Sequence, residues 1–172
     1  GREPGEQLYQ KHTYRVNGNG TGFTIVDPGD ASHNSTVSPT KRYVYDTYSL
    51  MDLPPKSVLR DALTGKVITT LEEMDLSKLK ELGFKPAETL SVKAADGVTE
   101  LFGNMWKPFD FDSTKKYPII TYVYPGPQEE GLTTGFSVRG PLMQLAQLGF
   151  IVIEVGHRGG TPLRSLAYHR YG

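Results

Sequence analysis

Two short apolar runs, with a stretch of helical spacing between them, constrain the fold of this chain more than any other feature. The first, Ile119 to Tyr124, follows Lys115-Lys116 and stops at Pro125-Gly126-Pro127. Proline cannot extend a sheet ladder and glycine turns without steric cost, so this reads as a strand with a hard stop. The second, Phe150–Val155 (FIVIEV), is the continuous run of a strand buried on both faces. Pro141–Leu148 between them has helical spacing and Gly149 would stop it. Strand, helix, strand in that order predicts a parallel pair with a right-handed crossover. Upstream, Glu88–Ala94 and Thr99–Lys107 read as a hairpin about the Ala95-Asp96-Gly97-Val98 turn. An antiparallel hairpin leading into such a unit opens an α/β sheet. Tyr124 is then the last residue of a strand, where its phenol can reach a cleft and donate to an oxygen gaining negative charge.

The first third of the chain obeys a different rule. Thr13–Val16, Phe23–Val26, Ser35–Val37, Arg42–Tyr48, Ser57–Asp61 and Lys66–Leu71 are short strand-like segments divided by turn residues. The chain holds 19 glycines, 12 prolines and 10 tyrosines against a hydrophobic fraction of only 37%, which suits many short strands with tight connections. Such spacing predicts a sandwich, a barrel or a propeller blade. From Glu72 to Leu82 the pattern becomes helical, with Leu76, Leu79 and Leu82 on one face, Asp75 as N-cap and Gly83 as stop. A domain boundary is expected near residues 84–90.

Lysine plus arginine (19) equals aspartate plus glutamate (19), so no single-sign field argues for nucleic acid or an anionic membrane. The absence of cysteine removes disulfides, thiolate nucleophiles and cysteine metal sites. No apolar run approaches the roughly 20 residues that cross a bilayer. The opening GREPGEQLYQKH is polar and lacks an initiating methionine, as expected of a fragment whose targeting segment lies elsewhere.

The residues GREPGE, NSTVSPTKRYVYDTYS, LFGNMWKPFDFDSTKKYPIITYVYPGP and LGFIVIEVGHRGGTP with the trailing YHRYG occur in this order and cover nearly the whole chain. Together they resemble the dipeptidyl peptidase IV branch of the prolyl oligopeptidase family of serine peptidases, especially its bacterial members. The resemblance implies α/β plus all-β architecture. Residues 1–88 would be the C-terminal end of a β-propeller with its connector helix, and 89–172 the first part of an α/β-hydrolase domain. It also implies a peptide substrate cleaved after proline or alanine near its N-terminus. A periplasmic or secreted location would follow, and a homodimer is compatible with the full-length protein. The family's strand-end tyrosine matches Tyr124, whose hydroxyl shares the oxyanion hole with a backbone N–H beside the nucleophile.

One departure is decisive. No G-x-S-x-G nucleophile elbow occurs, and Gly135-Phe-Ser-Val-Arg-Gly140 has one residue too many between serine and the second glycine. Nucleophile, triad acid and triad histidine are therefore expected outside this chain. The segment Gly156-His157-Arg158-Gly159-Gly160 stands where the family often has Asp-Gly-Arg-Gly-Ser, which keeps the arginine but leaves His157 without an assigned role. Arg158 reads equally as an ion pair organising its loop or as a solvated side chain. Glu129 and Glu130 read as solvated loop charge, and Tyr122 as packing. His12, His33, His157 and His169 lack ligand spacing, so no metal is expected, and no cofactor. Two alternatives stay open: a related acylaminoacyl peptidase or esterase, and a non-catalytic β-rich interaction module.

Overall fold

The computed structural model describes residues 3, 5–124, 126 and 129–171. Pro125 and Pro127 of the Pro-Gly-Pro stop, and parts of the GREPGE opening, lie outside the described residues. The chain divides into two compact units, one running to Asp75 and including Thr134–Phe136, the other comprising Leu76–Thr133 and the chain from Ser137 onward.

The first unit carries a two-stranded ribbon, β1 (Tyr14–Arg15) with β2 (Thr24–Ile25), and a four-stranded antiparallel meander. The meander runs in chain order through β3 (Ser32–Val37), β4 (Tyr43–Ser49), β5 (Lys56–Asp61) and β6 (Val67–Glu73). Strand alternation sends Val44 and Asp46 of β4, and Val58 and Arg60 of β5, to the buried face, while Tyr43 and Tyr45 face outward. Val26, Val44 and Ala62 form its apolar kernel. Each expected strand is present, with shifts at the ends. β3 begins three residues early, at Ser32, and β6 takes in Glu72 and Glu73, residues expected to begin a helix.

That helix, α1 (Ser77–Glu81), is a single short turn whose N-cap is Leu76 instead of the expected Asp75. Its stop falls at Gly83 as expected, with φ of 85°.

The sheet of the second unit has the order β7-β8-β10-β9, built from β7 (Glu88–Lys93), β8 (Glu100–Trp106), β9 (Ile119–Tyr122) and β10 (Ile151–Val155). β7 and β8 form the predicted hairpin, closed where Ala94 N–H donates to the Thr99 carbonyl at 2.8 Å. β8 pairs antiparallel with β10, and β10 pairs parallel with β9. The crossover helix α2 (Pro141–Ala146) buries Met143 and Ala146 and packs on β10 and β8. Its first turn uses Pro141, whose missing N–H would be unpaired there in any case. A final turn, α3 (Leu166–His169), is capped by Ser165, whose hydroxyl accepts from Tyr168 N–H.

The β9 strand corrects one expectation. It ends at Tyr122, so Tyr124 lies two residues beyond it. The last pair between the two strands is Tyr122 with Glu154, while β10 runs on through Val155 along β8, where Gly156 N–H donates to the Phe102 carbonyl at 2.8 Å. Val123 and Tyr124 lie beyond the β9 pairing.

Candidate active site

Because β9 and β10 run parallel, their carboxyl ends open on one edge of the sheet, and the segments following them meet there. α/β sheets hold their ligands at this edge. Tyr124 sits in the segment after β9 and is 47% exposed. Gly131 packs against it. A Cβ on Gly131 would lie 2.6 Å from Tyr124 Cβ and 3.2 Å from its Cγ. Gly131 also has φ of 61°, so backbone conformation and close approach both demand glycine there.

Three sets of hydrogen bonds fasten the segment after β9 to its surroundings. His157 Nε2 donates to the Gly126 carbonyl at 3.3 Å. The Tyr168 hydroxyl donates to Glu130 Oε1 at 2.5 Å. At Thr133, the N–H donates to Glu154 Oε1 at 2.8 Å, while the carbonyl accepts from Asn104 Nδ2 at 2.7 Å. Asn104 Nδ2 also reaches Glu154 Oε1 at 2.7 Å, closing a triangle between β8, β10 and the loop.

Glu130 departs most from its sequence reading. It is 8% exposed, a buried carboxylate and not a solvated loop charge, whereas Glu129 is exposed as expected. Two glycines make its seat: a Cβ on Gly156 would stand 2.2 Å from Glu130 Oε1, and one on Gly160 would stand 2.9 Å from Glu130 Cα. Its other oxygen, Oε2, has no hydrogen-bond partner among the described residues. Burial, and then the bond to the Glu130 carboxylate, push the Tyr168 phenol up to about 12, against the opposing pull of Arg164. Tyr168 is therefore a firm donor at neutral pH. Glu130, which fills the space a side chain on Gly156 or Gly160 would need, is distant from both in sequence, so no local motif announces the seat.

Arg158 makes the ion pair that was one of its two readings. Its Nη1 donates to Asp96 Oδ2 at 2.7 Å, and its guanidinium carbon lies 3.5 Å from the centroid of the Tyr171 ring. It thereby ties the loop after β10 to the β7–β8 turn. The Asp96 carboxyl is held down to about 2, chiefly by the Thr99 hydroxyl, then by backbone N–H groups of Thr99 and Val98 and by Arg158. Tyr122, expected to pack, is 43% exposed on the edge strand. Ser137 lies in the loop before α2, off any strand-to-helix elbow, and its hydroxyl donates to the Arg139 carbonyl.

Sequence spacing missed a second polar centre, which lies in the first unit. Asp27, His33 and Asp46, all buried, present possible metal-ligand atoms within 4.8 Å of one another. Their lone pairs are already committed. Asp27 accepts from Thr13 N–H (2.9 Å), Asp46 accepts from His33 (3.0 Å) and Arg60 Nε (2.7 Å), and the single Ser35 hydroxyl proton lies between the two carboxylates (2.6 Å to Asp27, 2.9 Å to Asp46). His33 donates from Nδ1 to Asp46 and from Nε2 to the Gly29 carbonyl (3.1 Å). His12 likewise offers Nδ1 to Asp27 and Nε2 to Glu6 (2.8 Å). Three carboxylates, Glu6, Asp27 and Asp46, thus share their hydrogen bonds with two imidazole rings and the Arg60 guanidinium, so the candidate ligand atoms are already engaged within the protein.

No protein-family profile matches the chain. Curated relatives do. The chain is 29% identical over 156 residues to a "probable dipeptidyl-aminopeptidase B" of Emericella nidulans, covering 87% of this chain and 17% of that protein. It is 35% identical over 80 residues to human dipeptidyl peptidase 8, which covers 44% of this chain and 9% of the other. Among solved structures, a provisionally assigned dipeptidyl aminopeptidase IV from Bacteroides ovatus aligns with a TM-score of 0.73 and 32% identity, over 92% of this chain and 23% of that one. Dipeptidyl peptidase 4 of Porphyromonas gingivalis aligns with a TM-score of 0.71 and 25% identity, over 90% and 22%. The chain thus spans about a fifth of the length of those it matches over most of its own. In sequence and in fold, it belongs to the dipeptidyl peptidase IV-like branch of the prolyl oligopeptidase family.

Proposed function

We propose that this chain is the junction of a dipeptidyl-peptidase-like serine hydrolase, with residues 1–88 the end of a propeller and 89–172 the start of the hydrolase domain. In this reading it supplies Tyr124 to the oxyanion hole of an enzyme whose serine, aspartate and histidine lie outside it. The observation that carries the reading is the position of Tyr124. It stands just past an edge strand of a β7-β8-β10-β9 sheet, half-exposed at the carboxyl edge, in a chain whose relatives are named for dipeptidyl peptidase activity.

The chemistry is acyl transfer. A serine Oγ bonds to the substrate carbonyl carbon, its proton passing to a base, and the carbonyl oxygen becomes an oxyanion. Tyr124 Oη–H donates to that oxygen. Collapse expels the amine with a proton, and water then hydrolyses the ester. One donor of this kind typically lowers the barrier by about 2.7–4 kcal/mol, a factor of about 10²–10³ in rate. In the full-length protein, Tyr124→Phe should lower kcat on Gly-Pro-p-nitroanilide by that factor with KM little changed. A kcat within about threefold of the parent would overturn the assignment. The 172-residue chain alone should release no nitroaniline, and any turnover would refute the view that the nucleophile lies elsewhere. An acylaminoacyl peptidase would instead prefer N-acetylated amides in the same assay.

A further inference from the structure

Glu130 takes no part in the chemistry above, yet its placement is expensive. A carboxylate buried with one oxygen unpartnered is disfavoured, and a residue that merely filled space would be apolar. Here two glycines are kept bare to admit it, and Tyr168 is turned to bond it. The neighbouring residue, Gly131, carries the contact with Tyr124, with no room for even a methyl group between them. The seat and the contact are thus one peptide bond apart. Gly126 is held by His157 and also lies beside the Tyr124 ring, where its Cβ would sit 3.5 Å from Cε1.

We propose that Glu130 is a positioning residue for Tyr124. Locked between Gly156, Gly160 and the Tyr168 hydroxyl, it holds Gly131 against the tyrosine and so fixes where the phenol points. The inference rests on the reading of Tyr124 as an oxyanion donor. A hydroxyl displaced by about 1 Å from the developing charge can lose about 10²-fold in rate, so a residue outside the chemistry can govern kcat.

The test is a double-mutant cycle in the full-length protein with Gly-Pro-p-nitroanilide. Glu130→Ala should lower kcat about 10- to 100-fold and leave KM within about threefold, since substrate binding is untouched. Glu130→Gln keeps a carbonyl oxygen for the Tyr168 hydroxyl and should recover most of that loss. In a Tyr124→Phe background, Glu130→Ala should cost less than about threefold more, because the group it positions is gone. If Tyr124→Phe lowers kcat but the two losses multiply, or Glu130→Ala has no effect, the positioning role is overturned and the Tyr124 reading stands. If Tyr124→Phe itself has no effect, both fall. Should Glu130→Ala fail to fold, Tyr168→Phe removes only the donor oxygen and carries the same test. A kcat loss of about tenfold that vanishes in the Tyr124→Phe background is expected, and an independent or absent loss overturns the proposal.

Discussion

Replacing Asp46 with alanine probes the polar centre of the first unit most directly. Asp46 is fully buried, and its two oxygens serve His33, Ser35 and the Nε of Arg60. Without it, Arg60 keeps the Gly65 carbonyl at 3.0 Å and the Tyr48 ring but no carboxylate among the described residues, and His33 loses the carboxylate it is paired with. Removing one member of a buried ion pair costs about 3–5 kcal/mol, because the other charge is left without compensation. The lost hydrogen bonds are contained in that figure and are not added to it. Each 1.4 kcal/mol is about tenfold in an equilibrium constant. Hydrogen exchange by mass spectrometry on the full-length protein should therefore show peptides of β3, β4 and β5 exchanging about 10²- to 10³·⁵-fold faster. Asp46→Asn should be nearly as damaging, since its amide would point N–H groups at Arg60 or His33. Acid should act in the same direction. Burial raises the Asp46 carboxyl, but hydrogen bonds from His33 and Arg60, the His33 charge and Ser35 together hold it below the usual carboxylate range. A carboxylate depressed by folding contributes in full above its unfolded value of about 3.9, and that contribution is lost as pH falls through the folded value. Exchange in Asp46→Ala within tenfold of the parent would refute the view that this network holds the meander together.

Other outcomes follow from particular contacts. Gly103→Ala in β8 should break the second sheet, because its Cβ would lie 2.4 Å from the Glu154 carbonyl oxygen, a backbone atom unable to yield; soluble protein with an unchanged melting temperature would contradict this. The Asp96 carboxyl should titrate near 2 by NMR, so the order it gives the β7–β8 turn persists above about pH 4 and is lost as pH falls towards 2; Arg158→Ala should move that titration upward. The 172-residue chain alone should be poorly stable or aggregate, since Ile119 of β9, Val123 just past it, and Val67 and Ile68 of β6 are exposed. A sharp, reversible thermal transition of a monomer, seen by light scattering and calorimetry, would count against that.

Much of the fold was legible because local periodicity and turn chemistry agree with it. The hairpin at Ala95–Val98, the FIVIEV strand, the Pro141 helix and the short strands of the first third all appear near their expected places. Boundaries failed where a partner decides them. β9 stops at Tyr122, the last residue paired with β10, two residues short of the expected Tyr124. Glu72 and Glu73 join β6 because Ser57 and Lys56 of β5 are there to pair with them. At the candidate site, Tyr124 could be singled out from its own strand and stop. Glu130 could not, because its neighbours Gly156, Gly160 and Tyr168 are 26 to 38 positions away in the chain.

The sequence by itself determined the order of elements, the two contrasting halves and the candidate tyrosine, since these depend on side-chain period, proline and glycine, all local properties. It also carried the family resemblance. Only the tertiary structure decided which polar residues are buried. Glu130, Glu154, Asp46 and the two histidines of the first unit look like ordinary charged or polar residues in the sequence. Each is made buried and paired by groups distant in the chain, because burying a charge is tolerable only where folding brings its counter-charge or donor to it.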